Sequence, residues 1–247
     1  MNYFLTIAAS DNSSGAGIQQ DLKVAAEFGF WGLSAITGIT IQNFKKLESI
    51  YPIPSEILSG QIEMNLNSFQ IKCTKIGAIC SENNIQVISS ILVNKKLKNI
   101  VLDPVFSPSH GKAFIKSKSI KYFREKLLPF VDVVTPNKDE LSLLAEKEIF
   151  NFDQGIEACK LLSKQYGTSF YLKGGHFEGS SIKEALITDK EISFFEKERL
   201  TLKYTHGTGC TFSTALSCYL GNELMMKEAC RKATGYVSKK YGVLLSI

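Results

Sequence analysis

Residues 205–217, THGTGCTFSTALS, follow an apolar alternating run and open onto a helical pattern, so a glycine turn delivers a cysteine to a helix N-terminus. Over Gly207, Thr208, Gly209 and Cys210 several backbone N–H groups then lack helical carbonyls, and the helix dipole favours negative charge beside them. Such a turn suits a phosphoryl group in transit, because phosphoryl transfer depends on positioning and charge stabilisation. The same field is expected to favour the thiolate of Cys210, lowering its pKa from about 8.5 toward neutrality and making it a proton acceptor. The competing reading of Cys210 is a small buried hydrophobe, which is how Cys73, Cys159 and Cys218 read.

Other polar residues fall after apolar β-rich runs: Asp11 with Gly15-Ala16-Gly17, Gln42-Asn43, Asp103, Asn137 with Glu140, and Lys173-Gly174-Gly175-His176. In an open parallel sheet these are the carboxyl ends of the strands, where ligands bind. Each alone reads equally well as a turn or N-cap residue. Together they offer carboxylate and amide oxygens suited to Mg²⁺, a lysine suited to phosphate and glycine turns that can face an anion. Neither SSGAGIQQD nor GTGC fits GxxxxGK[ST] or GxGxxG, so the P-loop and the dinucleotide fingerprint are excluded. A cysteine protease would need a partner among His110, His176 and His206, none in a recognisable local signature, and three scattered histidines give no metal-ligand spacing.

The elements that must position these residues alternate. Strand-like YFLTIAA precedes a helix with Ile18, Leu22, Ala25 and Ala26 inward; LSAITGITI precedes a helix over 55–68. KCTKIGAI, NIVLDPV and VDVVTPN follow, with helices from about 81, near 118–127 and near 138–146. A helix over about 153–166, stopped by Gly167, leads to SFYLKGG. The short strands EALIT, EISFFE and LTLKY make a β-hairpin excursion before the glycine turn, and a last helix covers about 225–241. This βα alternation predicts an α/β fold with a doubly wound, mostly parallel sheet and helices on both faces. No repeat, low-complexity segment or linker interrupts it, so residues 1–247 are expected to form one domain.

The 247 residues carry 29 basic and 24 acidic side chains for a net charge of +5, and 44% are hydrophobic. The lysines scatter, which reads as a solvated surface and not a nucleic-acid patch. Six cysteines without a CxxC pair fit a reducing cytoplasm, and the start lacks a basic n-region and a long apolar run, so neither export nor a membrane partner is expected.

The motifs LTIAASDNSSGAGIQQDLK, ITIQN, TKIGAI, VLDPV, VTPNKDE, LKGGH and THGTGCTFS occur in the order of the hydroxymethylpyrimidine/phosphomethylpyrimidine kinases of thiamine biosynthesis. The chain resembles this branch of the ribokinase-like superfamily over nearly its whole length. The resemblance implies ATP and Mg²⁺ use, no large lid domain and commonly a homodimer. It implies an anion hole and catalytic residue at Gly207, Thr208, Gly209 and Cys210, where sugar-kinase relatives have aspartate. It implies an NxxE motif at Asn137 and Glu140 that, with Asp103, supports Mg²⁺ through water, and ATP-phosphate contacts from Lys173, Thr208 and Asn137. It implies a pyrimidine site at Ala9, Asp21, Thr40, Gln42, Ala78 and Val105; on its own, Asp21 reads as a solvated helix carboxylate. Ala9 stands where the family usually has Gly, Ala78 where it often has Met, and Ser109 where it often has Lys. Asn12, where Pro or Ser is common, is expected to alter only the turn.

The function implied is phosphorylation of 4-amino-5-hydroxymethyl-2-methylpyrimidine and of its monophosphate. A pyridoxal kinase is the nearest rival, although IQN and KGGH resemble the pyrimidine branch. A non-catalytic pyrimidine-binding relative would not need the set Asn137, Glu140, Lys173 and Cys210.

Overall fold

A computed structural model describes residues 1–94, 97–107, 113–199 and 207–244. The strands are β1 (Tyr3–Asp11), β2 (Trp31–Gln42), β3 (Leu47–Pro52), β4 (Ile71–Ile76), β5 (Ile100–Leu102), β6 (Val133–Val134), β7 (Ser169–Leu172), β8 (Ser181–Ile187) and β9 (Ile192–Glu198). The helices are α1 (Gly17–Glu27), α2 (Ser55–Ser68), α3 (Glu82–Asn94), α4 (Ile120–Leu127), α5 (Lys138–Ala145), α6 (Phe152–Tyr166), α7 (Thr208–Gly221) and α8 (Met226–Leu244).

One sheet holds all these strands in the order β3-β2-β1-β4-β5-β6-β7-β8-β9. The run from β2 to β7 is parallel, while β3 at one edge and β8–β9 at the other are antiparallel. The short strands β5 and β6 are covered on both faces. In β5, Ile100 and Leu102 pack into one core and Val101 into the other; in β6, Val134 and Val133 divide in the same way. Strands buried on both faces read as apolar runs, which is why they were legible. Helices α2 to α6 cover one face, and α1, α7 and α8 cover the other. The expected doubly wound architecture is present, and the described residues form no separate lid.

Two details depart from the expectation. β3 was not anticipated; it pairs antiparallel with β2, Ile39 opposite Tyr51 and Thr40 opposite Ile50. On α1 the buried residues are Ile18, Gln20, Asp21, Val24 and Ala25, while Ala26 is exposed and Leu22 half-buried. A polar residue on the inward stripe shifted the apparent face. The third short strand expected over 200–204 lies outside the described residues.

The chain leaves β1 toward β2 on one side and toward β4 on the other, so the switch point lies between β1 and β4. Ligands bind in the crevice at such a point. The β1–β2 register shifts between Ala8 and Ser10, at Ala9, so an irregular strand end borders this crevice.

Candidate active site

A cavity of about 900 Å³ lies along the carboxyl ends of the parallel strands. It reaches from Ala9, Thr40, Gln42, Ala78 and Val105 at one end, past Asp103 and Cys210, to Ile182, Lys197 and Tyr241 at the other. Of the residues expected to bind the pyrimidine, only Asp21 is not on its wall.

The two glycine loops touch. Gly207, the N-cap of α7, has φ +83°, and a Cβ there would stand 1.9 Å from the Gly15 carbonyl oxygen. Gly17, first residue of α1, has φ +60°, and its Cβ would stand 2.4 Å from the Ala9 carbonyl oxygen. Any side chain at either position forces the loops apart. Asp11 organises the first loop by accepting from the Ser13 and Ala16 amides at 2.8 Å each. For Asp11 the turn-building role is therefore the observed one.

Helix α7 starts at Thr208, two residues earlier than its approximate expected start, so Gly209 and Cys210 lie in its first turn. Hydroxyls along the helix anchor it to its neighbours. Thr211 accepts from Gln20 at 2.9 Å, Ser213 donates to Asp103 at 3.2 Å, and Thr214 donates to Asp21 at 2.9 Å.

Asp103, Glu140 and Lys173 form one cluster. Lys173 Nζ is 2.8 Å from Asp103 Oδ1 and 3.3 Å from Glu140 Oε2. Burial opposes the charge on Lys173, but the two carboxylates hold it protonated, above the ordinary lysine range. Burial pushes Asp103 up, yet Lys173 and Lys75 outweigh it and leave it below the usual carboxylate range. Glu140 is pushed up to about 7, by burial first and by the charge of Asp103, against the pull of Lys173. Asn137 and Glu140 also close a capping box at the start of α5: Glu140 N–H donates to Asn137 Oδ1 at 2.9 Å, and Asn137 N–H donates to Glu140 Oε2 at 2.7 Å. The NxxE spacing thus serves helix start and charge cluster together.

Cys210 corrects one expectation. Of the six cysteines it alone is half-buried, the other five being buried, but its thiol is pushed up to about 11 and not down toward neutrality. Burial dominates, Lys75 opposes it, and Asp21 and Asp103 add to it. A helix N-terminus contributes up to about 2 kcal/mol, roughly one and a half pKa units, and desolvation by a dry wall exceeds that.

Asp21 corrects another. It is fully buried, with Lys75 Nζ at 2.9 and 3.0 Å and Thr6 Oγ at 2.6 Å. It is neither a solvated carboxylate nor part of the cavity wall. Thr40 lines the cavity, but its hydroxyl donates to the Ser10 carbonyl at 2.9 Å. The Gln42 side-chain amide makes no hydrogen bond among the described residues; its backbone N–H is held by Asn12 Oδ1 at 2.8 Å. Asn12 therefore ties the first loop to the end of β2, beyond shaping the turn. Ala9 and Ala78 cluster with Cys80, Ile50, Val105 and Phe114, an apolar floor and wall.

His176 pairs with Asp139 at 2.7 Å. Ser109, His110 and His206 lie outside the described residues.

Sequence reasoning missed Lys75. The signal was present: a lysine in the middle of an apolar parallel strand needs a carboxylate, and Asp21 shares the helical stripe of Ile18 and Ala25.

No helix among the described residues is long and apolar enough to cross a membrane. The profile of the phosphomethylpyrimidine kinase family matches residues 11–242. The hydroxymethylpyrimidine/phosphomethylpyrimidine kinase of Haemophilus influenzae is 35% identical over 238 residues, covering 95% of this chain and 88% of that one. The crystal structure of phosphomethylpyrimidine kinase from Clostridium difficile 630 superposes with a TM-score of 0.85 at 29% identity, covering 97% of this chain and 99% of that one. The pyridoxal kinase of Staphylococcus aureus in complex with AMP-PCP and pyridoxal superposes with a TM-score of 0.87 at 25% identity, covering 96% and 87%. By profile, sequence and fold, the chain belongs to the phosphomethylpyrimidine kinase family.

Proposed function

We propose that this chain uses ATP to phosphorylate 4-amino-5-hydroxymethyl-2-methylpyrimidine and then its monophosphate, giving the diphosphate, in thiamine biosynthesis. The observation that carries this reading is one continuous cavity, apolar at the end that holds the unbonded Gln42 amide and anion-ready where α7, Lys173 and Cys210 meet.

The heterocycle packs against Ala9, Ala78 and Val105, and Gln42 hydrogen-bonds its amino group or ring nitrogen. Cys210 accepts the hydroxymethyl proton as the oxygen attacks the γ-phosphorus in line. The amides of the 207–210 turn and Lys173 absorb charge developing on the phosphoryl oxygens. Asn137 adds its side-chain N–H₂, whose partner oxygen is engaged in the capping box. In the second step the acceptor is a phosphomonoester, already largely ionised above a pKa of about 6, and needs no base.

Asp103 and Glu140, with Asn137 beside them, are the residues that would hold Mg²⁺ through water. Two carboxylates gathered at the strand ends suit an ion that leaves most positions to water and phosphate. When bound, it supplies further neutralisation of the ATP phosphates.

Residues 1–247 then act as one kinase domain in the cytoplasm, as a homodimer. The dimer reading is supported by the β2–β3 edge hairpin, where Ile39, Ile41 and Tyr51 are exposed. The testing experiment measures ATP consumption with hydroxymethylpyrimidine, its monophosphate and pyridoxal side by side, with mass detection of products. Phosphorylation of both pyrimidines is expected. Turnover of pyridoxal alone would replace this reading with that of the pyridoxal kinases.

A further inference from the structure

Lys75 is fully buried in β4, yet it borders the same cavity as Cys210. Two of its three N–H bonds go to the oxygens of Asp21, at 3.0 and 2.9 Å, and no other acceptor meets it among the described residues. Asp21 is itself fixed from three elements: it sits on α1, Thr6 on β1 donates to one oxygen, and Thr214 on α7 donates to the other. A buried ion pair is a poor device for stability alone, because desolvating two charges offsets most of their attraction. Here the ammonium borders the cavity, and Asp21 ties it to α7 through Thr214, one helical turn beyond Cys210.

The charged and titratable groups that act on Cys210 come from every side. They are Lys75 from β4, Asp21 from α1, Asp103 after β5 and Tyr241 from α8. Lys75 is the cation in this set. Lys173, the other nearby cation, is engaged by Asp103 and Glu140.

We propose that Lys75 is a positioning residue for proton transfer: fixed by Asp21, its ammonium supports the Cys210 sulfur as the thiolate that takes the hydroxymethyl proton. In the step it supports, the hydroxyl proton passes to sulfur and the oxygen lone pair forms the new O–P bond. The bond from the γ-phosphorus to the bridging oxygen breaks, and its electron pair leaves with ADP. The proposal rests on the kinase reading for the identity of the proton donor, but the link between Lys75 and the thiol stands without it. Lys75 is the group in this set whose charge favours ionisation of the sulfur, and Asp21 holds it at the wall of the cavity that Cys210 also lines. Removing both charges therefore makes the thiolate scarcer.

The test uses the full chain without ligands. Cys210 is the half-buried cysteine, so iodoacetamide alkylation followed by mass spectrometry between pH 8 and 9.5 reads its thiolate fraction. The paired exchange Lys75→Gln/Asp21→Asn keeps polar partners for Thr6 and Thr214. It is expected to slow alkylation about threefold to tenfold at each pH, the size of a nearby-charge effect. With substrates, the ratio of hydroxymethyl to monoester phosphorylation should fall by a similar factor. Lys75→Arg keeps the charge and should hold the alkylation rate within about threefold of wild type. The apolar exchange Lys75→Met/Asp21→Leu, matched in circular dichroism, gives a second reading if the amide pair does not fold. Unchanged alkylation in a folded charge-free variant, or equal loss of both phosphorylations, would overturn the proposal. Slower alkylation without any kinase activity would uphold the Lys75–Cys210 link and sink the kinase reading instead.

Discussion

At the phosphoryl end of the cavity, charges stand in two buried clusters, Lys173 between Asp103 and Glu140, and Lys75 on Asp21. At the pyrimidine end, Ala9, Ala78, Val105 and Phe114 present apolar surface, and the Gln42 side-chain amide makes no hydrogen bond among the described residues. The first end is bound into the fold, since each of its ions sits in low dielectric and depends on a partner. The second makes few demands on the rest of the molecule. Chemistry is therefore costly to change in this fold, and substrate preference is cheap to change.

The sharpest way to break the contrast is Lys173→Met. It leaves Asp103 and Glu140 facing each other without a cation, and loss of one partner of a buried pair costs about 3–5 kcal/mol. Urea unfolding at pH 8 should register that loss, and ATP turnover should vanish. The sign of the pH dependence is fixed by Glu140. Its folded pKa, about 7, lies above the ordinary carboxylate value. Its stabilising contribution is therefore complete below the unfolded pKa and is lost as pH rises through 7. Glu140→Gln should flatten the wild-type stability curve over that window.

Next in size is Cys210→Ala. Loss of a general base costs about 10²–10⁴-fold in rate, here on the hydroxymethyl acceptor, while the monoester acceptor keeps most of its rate. Because the free thiol titrates near 11, kcat/KM for the alcohol should also rise about tenfold per pH unit between 7 and 9 in wild type. Equal loss in both reactions would make Cys210 structural.

The same contrast explains what could be read from the sequence. The alternation of β5, β6 and β7 with helices was legible because strands buried on both faces become uninterrupted apolar runs. β3 escaped because LESIYP turns only Leu47 fully inward. The residues that line the cavity were legible as polar or small types at strand ends. The Lys75–Asp21 pair left a signal, a lysine in an apolar parallel strand and a carboxylate on the inward stripe of α1, but only the packing of α1 against the sheet shows that the two meet. The state of Cys210 differs from the expectation for a related reason: the helix dipole is visible in a sequence, whereas the burial that outweighs it is a property of the packed loops.

The smallest expected effects lie at the pyrimidine end. Gln42→Leu keeps most of the volume and removes the amide, so it should raise KM for the pyrimidine about tenfold with little change in kcat or in KM for ATP, the worth of one buried hydrogen bond. Asn12→Ala should do less. Asn12 touches Gln42 only through the backbone, its Oδ1 accepting the Gln42 N–H at 2.8 Å on an exposed stretch. Removing it leaves the Gln42 side chain in place but lets the end of β2 move away from the first loop. The expected outcome is a two- to threefold rise in KM for the pyrimidine, about 0.5 kcal/mol, with unchanged unfolding stability. In the Gln42→Leu background the same exchange should have no further effect, since nothing remains for it to orient. Full additivity of the two in KM would mean that Asn12 acts on the glycine loop and not on Gln42, and the link between turn and substrate amide would be lost.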